Sequence, residues 1–324
     1  MGADVLAALR AAGDGFVSGE RLAELSGLTR AAVWKKIEEL RSRGYLIDAR
    51  THLGYHLRGA PDTPYPEEVR EGLSASVFGR EVFYLPSVTS TNEVAKKLAA
   101  EGCPEGTLVA AEEQTAGRGR LGRRWVSPPG GLWFSLVLRP GLALTDLGLL
   151  TVAAAVALRR AVQAAAGVQA EIKWPNDLLV NGRKVAGILA EASGELGCAV
   201  QVILGVGVNI NQRTEDFSEE LRERATSLRA VLGRPAPRLP VLRAFLSSFE
   251  ELYAGIGRNR CETVLAEAAA HSATLGRRVR VTAGGRVFEG LALRLDPDGA
   301  LVLGNDEGEA RILTGEVERL DGQA

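Results

Sequence analysis

Apolar positions recur along this chain at two spacings, and the points where the spacing changes divide it into three parts. Near the start, Val5, Leu6 and Leu9 form one apolar face, and Gly13 and Gly15 end that helix. A second short helix, from Gly19 to Leu25, runs into Ser26-Gly27-Leu28. Thr29 is placed to cap a third, in which Val33, Ile37 and Leu40 fall at the i, i+4, i+7 spacing of a buried stripe. Two helices joined by a short glycine-containing turn predict a helix-turn-helix. Tyr45-Leu46-Ile47 and Tyr55-His56-Leu57 read as two short strands around Arg50 to Gly54, a wing. Pro61, Pro64 and Pro66 mark a linker, so the first domain is expected over residues 1–60.

From 61 to 272 the two periods mix. Strands are predicted at Val82–Leu85, Leu108–Ala111, Leu132–Leu138, Ile172–Trp174, Leu178–Val180, Val185–Glu191 and Val200–Val208. Helices are predicted at Asn92–Glu101, Leu147–Ala166 and Pro240–Tyr253. Asn181-Gly182 between two apolar runs signals a hairpin. Because the strands cluster instead of alternating with helices, the expected fold is α+β on a mixed or antiparallel sheet. Over 273–324 the short strands Val279–Val281, Val287–Phe288, Leu291–Leu293, Ala300–Leu303 and Ala310–Leu313 alternate with glycine-rich turns, the spacing of a small β-barrel.

Composition narrows the class. The 46% hydrophobic and 24% charged content of 324 residues excludes a disordered chain. With 39 Lys+Arg against 40 Asp+Glu, whole-molecule attraction to a polyanion is not expected, although local patches remain open. Cys103, Cys198 and Cys261 are too scattered for a disulfide framework or a CxxC metal site. The start lacks a secretory pattern, and the nearly uncharged stretch Leu147–Leu158 is too short to span a bilayer. The expectation is a cytoplasmic protein with no membrane segment.

Four windows carry chemistry. Gln114-Thr-Ala-Gly-Arg-Gly-Arg-Leu-Gly-Arg-Arg-Trp125 interleaves arginines with Gly117, Gly119 and Gly122. A dinucleotide fingerprint does not fit, because Pro128-Pro129-Gly130-Gly131 follows where a helix should open. The remaining readings are a solvated basic loop or a flexible polyanion-binding loop of backbone N–H groups and guanidiniums, most obviously for a nucleotide triphosphate. In Lys173-Trp-Pro-Asn-Asp177 and Arg183-Lys184, the two lysines sit at the ends of strands read as joined by Asn181-Gly182. They either face one site, where an ammonium would stabilise charge during acyl-phosphate formation, or are solvated strand ends. Gly205 and Gly207, before Asn209, admit a flat ligand or another backbone, or mark a bulge. Finally, Ser90 or Thr91 either caps the following helix or binds a ligand oxygen.

These windows, Ser90-Thr91-Asn92, Gln114 to Trp125, Lys173 to Asp177, Arg183 to Leu189 and Gly205 to Asn209, resemble those of biotin protein ligases. With the winged helix in front, the chain is similar to the bifunctional class that is also a biotin operon repressor. The resemblance implies a central fold like class II aminoacyl-tRNA synthetases and an SH3-like C-terminal barrel. It implies an AMP-forming reaction of biotin with Mg·ATP, then transfer to a lysine of a biotin carboxyl carrier domain. Carried over, Ser90, Thr91, Asn92, Gln114 and the loop at Gly117, Arg118, Gly119 and Arg120 would hold biotin. Lys184 would bridge the biotin carboxylate and the α-phosphate, with Arg118, Arg120 and Arg123 around the phosphates. Trp125 and Asn209 would recognise adenine, Asn176 would reach phosphate and Asp177 would orient or deprotonate the acceptor lysine. Mg²⁺ is assigned to the nucleotide phosphates, with no protein ligand named.

Residues 29–58 hold seven basic and three acidic side chains, a local net of +4, which suits a DNA-facing helix and wing. Arg30, Lys35 and Lys36 are the candidate contacts, whereas Trp34 departs from a polar reading face and is expected to pack on the wing. An operator-binding homodimer, promoted by adenylate, is the implied extension. Two rivals stay open: a ligand-sensing regulator without turnover, and a lipoate or related acyl ligase.

Overall fold

The computed structural model describes residues 4–143, 146–195, 198–256, 261–306 and 308–320. Close contacts divide the chain between Thr63 and Pro64 into two units.

In the first unit α1 (Val5–Ala11), α2 (Gly19–Ser26) and α3 (Arg30–Ser42) are followed by the antiparallel pair β1 (Leu46–Arg50) and β2 (Gly54–Gly59). The caps follow the sequence: Ser18 accepts from Arg21 N and Thr29 from Ala32 N, and Gly27 ends α2 in the left-handed region. Val33, Ile37 and Leu40 are the buried residues of α3. Arg41 Nε donates to Ile47 O at 3.0 Å and ties the wing to that helix. Gly54 has φ 102° and passes so close to Val17 and Ser18 that a Cβ would lie 2.6 Å from Ser18 Cα, which only glycine permits. Trp34 does not pack on the wing as expected; its side chain is exposed.

The second unit opens with α4 (Pro66–Arg70), whose Pro66 occupies the first helical turn, and continues with β3 (Val82–Val88), α5 (Thr91–Ala100), β4 (Leu108–Gln114), β5 (Leu132–Leu138), β6 (Leu142–Ala143), α6 (Leu147–Ala166), β7 (Glu171–Lys173), β8 (Asp177–Val180), β9 (Arg183–Glu195) and β10 (Cys198–Val208). The sheet runs β3-β4-β5-β10-β9-β8-β7, with β6 on β10. Only β3–β4 is parallel, so the sheet is mixed, as expected. Short helices α7 (Glu219–Arg222) and α8 (Leu228–Leu232) precede α9 (Arg238–Ile256) and α10 (Cys261–Ala270).

Alternation along the strands assigns the two faces. Leu136, Leu204 and Val206 belong to the large core with α6 and α9, while Val109, Val137 and Ile203 pack with Ala95 and Ala99 of α5 on the other side. The apolar stretch at 147–158 extends to a 20-residue helix, about 30 Å long and sufficient to span a bilayer. Two-thirds of its most apolar window is nevertheless buried in this core, which accounts for its composition.

The tail forms a five-stranded antiparallel sheet from β11 (Arg278–Ala283), β12 (Arg286–Leu295), β13 (Leu301–Asn305), β14 (Gly308–Ile312) and β15 (Glu316–Arg319). Two strands predicted around Gly290 are one: a Cβ there would lie 2.6 Å from Gly304 O, so the glycine serves close strand approach and not a break. Trp174 buries its ring among Val279, Val281 and Leu301 of this sheet and donates Nε1 to Gly299 O at 2.9 Å.

Candidate active site

The site arises where one face of the central sheet loses its side chains. Along β10 the α5-facing positions read Ile203, Gly205, Gly207, and beside Gly207 on β9 stands Gly187. Neither a bulge nor a second backbone occupies this stretch. A Cβ at Gly205 would collide with Asn92, and one at Gly207 would sit 2.6 Å from Trp125 Nε1. The glycines therefore make room for those two side chains and for a cleft of about 960 Å³ above the sheet.

One wall is the start of α5. Ser90 holds the N-cap position without a side-chain cap bond, so neither candidate hydroxyl caps the helix. Thr91 instead donates from N (2.8 Å) and Oγ1 (3.0 Å) to Gln114 Oε1, and Gln114 Nε2 donates to Ser127 Oγ at 2.8 Å. Buried Ser135 lies 2.7 Å from Thr91 Oγ1 and 2.6 Å from Asn92 Oδ1. Asn92 Nδ2 donates to Glu191 Oε2 at 2.6 Å, and Lys96 Nζ approaches Glu191 Oε1 to 2.8 Å. Burial alone would raise the Glu191 carboxyl, but bonds from Lys96 and Asn92 outweigh it and hold the group below its ordinary range.

The arginine-glycine segment forms the second wall. It is a narrow hairpin: Gly119 N donates to Arg123 O at 2.7 Å and Trp125 N to Gly117 O at 2.9 Å. Gly117 is folded into it, since a Cβ there would lie 2.5 Å from Trp125 O, whereas Gly119 lines the cleft. Three of the hairpin's four guanidiniums are paired within the protein. Arg118 contacts Glu93 at 2.9 Å, Arg123 contacts Glu316 at 2.6 Å, and Arg120 donates to Asn176 Oδ1 at 3.0 Å, to Gly315 O at 3.2 Å and to Thr314 Oγ1. Burial lowers the pKa of Arg120 despite the nearby carboxylates.

The β7–β9 edge closes the site. Lys173 and Lys184 do not sit on strands sharing the Asn181-Gly182 turn, because β8 lies between β7 and β9. Both nonetheless line the cleft. Asn181 and Gly182 have φ of 50° and 74°, the left-handed pair that a two-residue hairpin needs. Lys184 Nζ lies 2.7 Å from Asp177 Oδ1, an ion pair outside hydrogen-bond angles, and 5.0 Å from the centre of the Trp125 ring. Lys173 is lowered, first by burial and then by Lys184 and Arg319, with Asp177 opposing. Asn176 Nδ2 donates to Ile188 O at 2.8 Å, and buried Asn209 donates Nδ2 to Thr226 O at 2.9 Å.

Ser90, Thr91, Asn92, Gln114, Arg118, Gly119, Arg120, Arg123, Trp125, Asn176, Asp177, Lys184 and Asn209 thus border one cleft. Gly315 and Glu316 also line it, and Ser135, Glu191 and Thr314 hold lining side chains in place, none of them singled out in the sequence. The donor set fits a nucleotide: cations ring the cleft, and Trp125 Nε1 is a buried donor with no partner among the described residues. No three His, Cys, Asp or Glu side chains converge on a metal position among the described residues.

On the first unit Arg30 and Lys35 are exposed, while Lys36 pairs with Glu39 at 3.0 Å. Along the chain, a helix-turn-helix with a local excess of basic residues precedes the unit whose mixed sheet carries the cation-lined cleft. Residues 84–209 match the biotin/lipoate A/B protein ligase family, 3–56 an HTH domain and 274–320 the biotin protein ligase C-terminal domain. The bifunctional ligase/repressor BirA of Bacillus spizizenii is 39% identical over 97% of both chains, and that of Escherichia coli is 32% identical over 93% of this chain and 92% of its own. A biotin protein ligase from Aquifex aeolicus, solved in complex with biotin and ATP, superposes with a TM-score of 0.65 at 29% identity, covering 74% of this chain and 98% of that one. The chain belongs to the bifunctional biotin protein ligase family.

Proposed function

We propose that the chain joins biotin to ATP, giving biotinyl-5′-AMP and pyrophosphate, and passes the biotinyl group to a lysine of a biotin carboxyl carrier domain. In the first step a biotin carboxylate oxygen attacks the α-phosphorus and pyrophosphate leaves. Lys184 bridges the two reacting anions, and Arg118, Arg120 and Arg123 stabilise charge on the phosphates, with Asn176 alongside. The charge neutralisation that Mg²⁺ supplies when bound comes through the nucleotide's own phosphates. Ser90, Thr91, Asn92, Gln114 and the Gly117–Arg120 backbone hold biotin's polar groups, while Trp125 and Asn209 take adenine. In the second step the acceptor amine attacks the acyl carbon, AMP leaves, and Asp177 orients the amine and receives its proton.

The observation that carries this reading is that Lys184, Asp177, Arg118 and Arg120 border the same cleft. A sensor without turnover has no use for such a phosphate clamp. Pyrophosphate release on mixing with biotin and Mg·ATP, and none with lipoate, is expected. Release with lipoate alone favours the rival ligase, and release with neither favours the sensor. We further assign domains at 1–60, 61–272 and 273–324, the last SH3-like, and a cytoplasmic homodimer, promoted by adenylate, that represses at operator DNA through Arg30, Lys35 and Lys36.

A further inference from the structure

Trp34 stands in the second turn of α3 and is 56% exposed. The exposed positions of that helix's first turns are Arg30, Ala31, Trp34 and Lys35, which cluster on the side away from the buried Val33, Ile37 and Leu40. Trp34 joins no ring contact among the described residues, and Arg30 and Lys35 have no ion partner among them. The outward face therefore combines bare apolar surface with two unpaired cations.

An occupant must be anionic and still offer apolar atoms. A second copy of the same face would set +4 against +4 over residues 29–58. Duplex DNA meets both demands: its phosphates suit the cations, and its major groove exposes the C5-methyl groups of thymine. We propose that Trp34 is a base-reading residue that lays its indole on thymine methyl groups while Arg30 and Lys35 hold the flanking phosphates. This rests on the operator-binding reading above and names a determinant of its specificity.

The test uses the full chain with biotin and Mg·ATP. A duplex is selected from a randomised pool, and its thymines are then replaced singly by deoxyuridine, which removes only the methyl. Wild type is expected to lose about fourfold in affinity per contacted methyl. Trp34→Ala should bind the thymine duplex more weakly and show no further loss with uracil, and Trp34→Phe should recover part of the discrimination. Unchanged thermal midpoints show that the variants fold, as expected for an exposed side chain. Equal uracil penalties in wild type and Trp34→Ala overturn the proposal, as does a loss that is uniform over selected and unselected duplexes. Loss of self-association in Trp34→Ala with the uracil penalty intact assigns the indole to a second copy and also overturns it. Failure of wild type to enrich any sequence removes the operator reading itself, a result distinct from these.

Discussion

Gly205→Ala tests the packing on which the cleft depends. The added Cβ would collide with Asn92 Oδ1 and lie 3.0 Å from both Cγ and Nδ2, in the middle of a strand paired on both sides. Asn92 is 4% exposed and held by bonds of 2.6 Å to Glu191 and to Ser135, so it cannot recede without breaking one. Overpacking costs about 1–3 kcal/mol, and a lost hydrogen bond to a charged group about 1.5–3 kcal/mol. Allowing for partial relaxation, the expected loss is about 2–5 kcal/mol, a large share of a domain's stability. Urea unfolding followed by fluorescence reads this directly, and biotin titration should weaken in parallel. Gly119→Ala is the control: its Cβ meets nothing nearer than 3.5 Å, and it should cost under about 0.5 kcal/mol. Asn92→Ala in the Gly205→Ala background should relieve the collision, giving less than additive destabilisation. If Gly205→Ala unfolds and binds biotin like wild type, the close approach of α5 to β10 is wrong.

Lys184→Ala should lower adenylate formation by about 10²–10³-fold, measured as pyrophosphate release. It should leave stability within about 1 kcal/mol, because the Lys184–Asp177 pair is partly solvated. Arg120→Lys loses the fork that reaches Asn176, Gly315 and Thr314, and should raise the KM for ATP by about tenfold in initial-rate assays. Glu267 is held below the ordinary carboxylate value of 4.5 by its bond to Arg160, against burial and with help from Arg159. Its depressed pKa contributes stability that is present above pH 4.5 and lost as pH falls through the lower folded value. Thermal melts from pH 6 downward should thus drop less below pH 4.5 in Glu267→Gln, which at neutral pH costs about 2 kcal/mol.

Where periodicity was strong, the fold was legible. Leu132–Leu138 and Leu147–Ala166 match their predicted bounds, because long apolar patterns on sheet and helix report burial directly. The helix α10 passed unread: only Val264 and Ala268 of its ten residues are buried, too faint a stripe. Gly290 read as a break because glycine in a strand looks the same whether it ends pairing or admits a neighbour. For the site, motif residues emerged from residue type and spacing. Their partners did not: Glu316 meets Arg123 across 193 positions of chain, and Thr314 meets Arg120 across 194, separations that one sequence does not encode. Glu93 carried no mark of its bond to Arg118 either, since a carboxylate in a helix's first turn is ordinary.

The most direct measurement of the central claim is incubation of the full chain with labelled biotin, Mg·ATP and a biotin carboxyl carrier domain, followed by mass mapping of the carrier. Label on one carrier lysine, dependent on ATP and formed about 10²–10³-fold more slowly with Lys184→Ala, is the predicted result. An unlabelled carrier, or labelling that persists without ATP, contradicts the account.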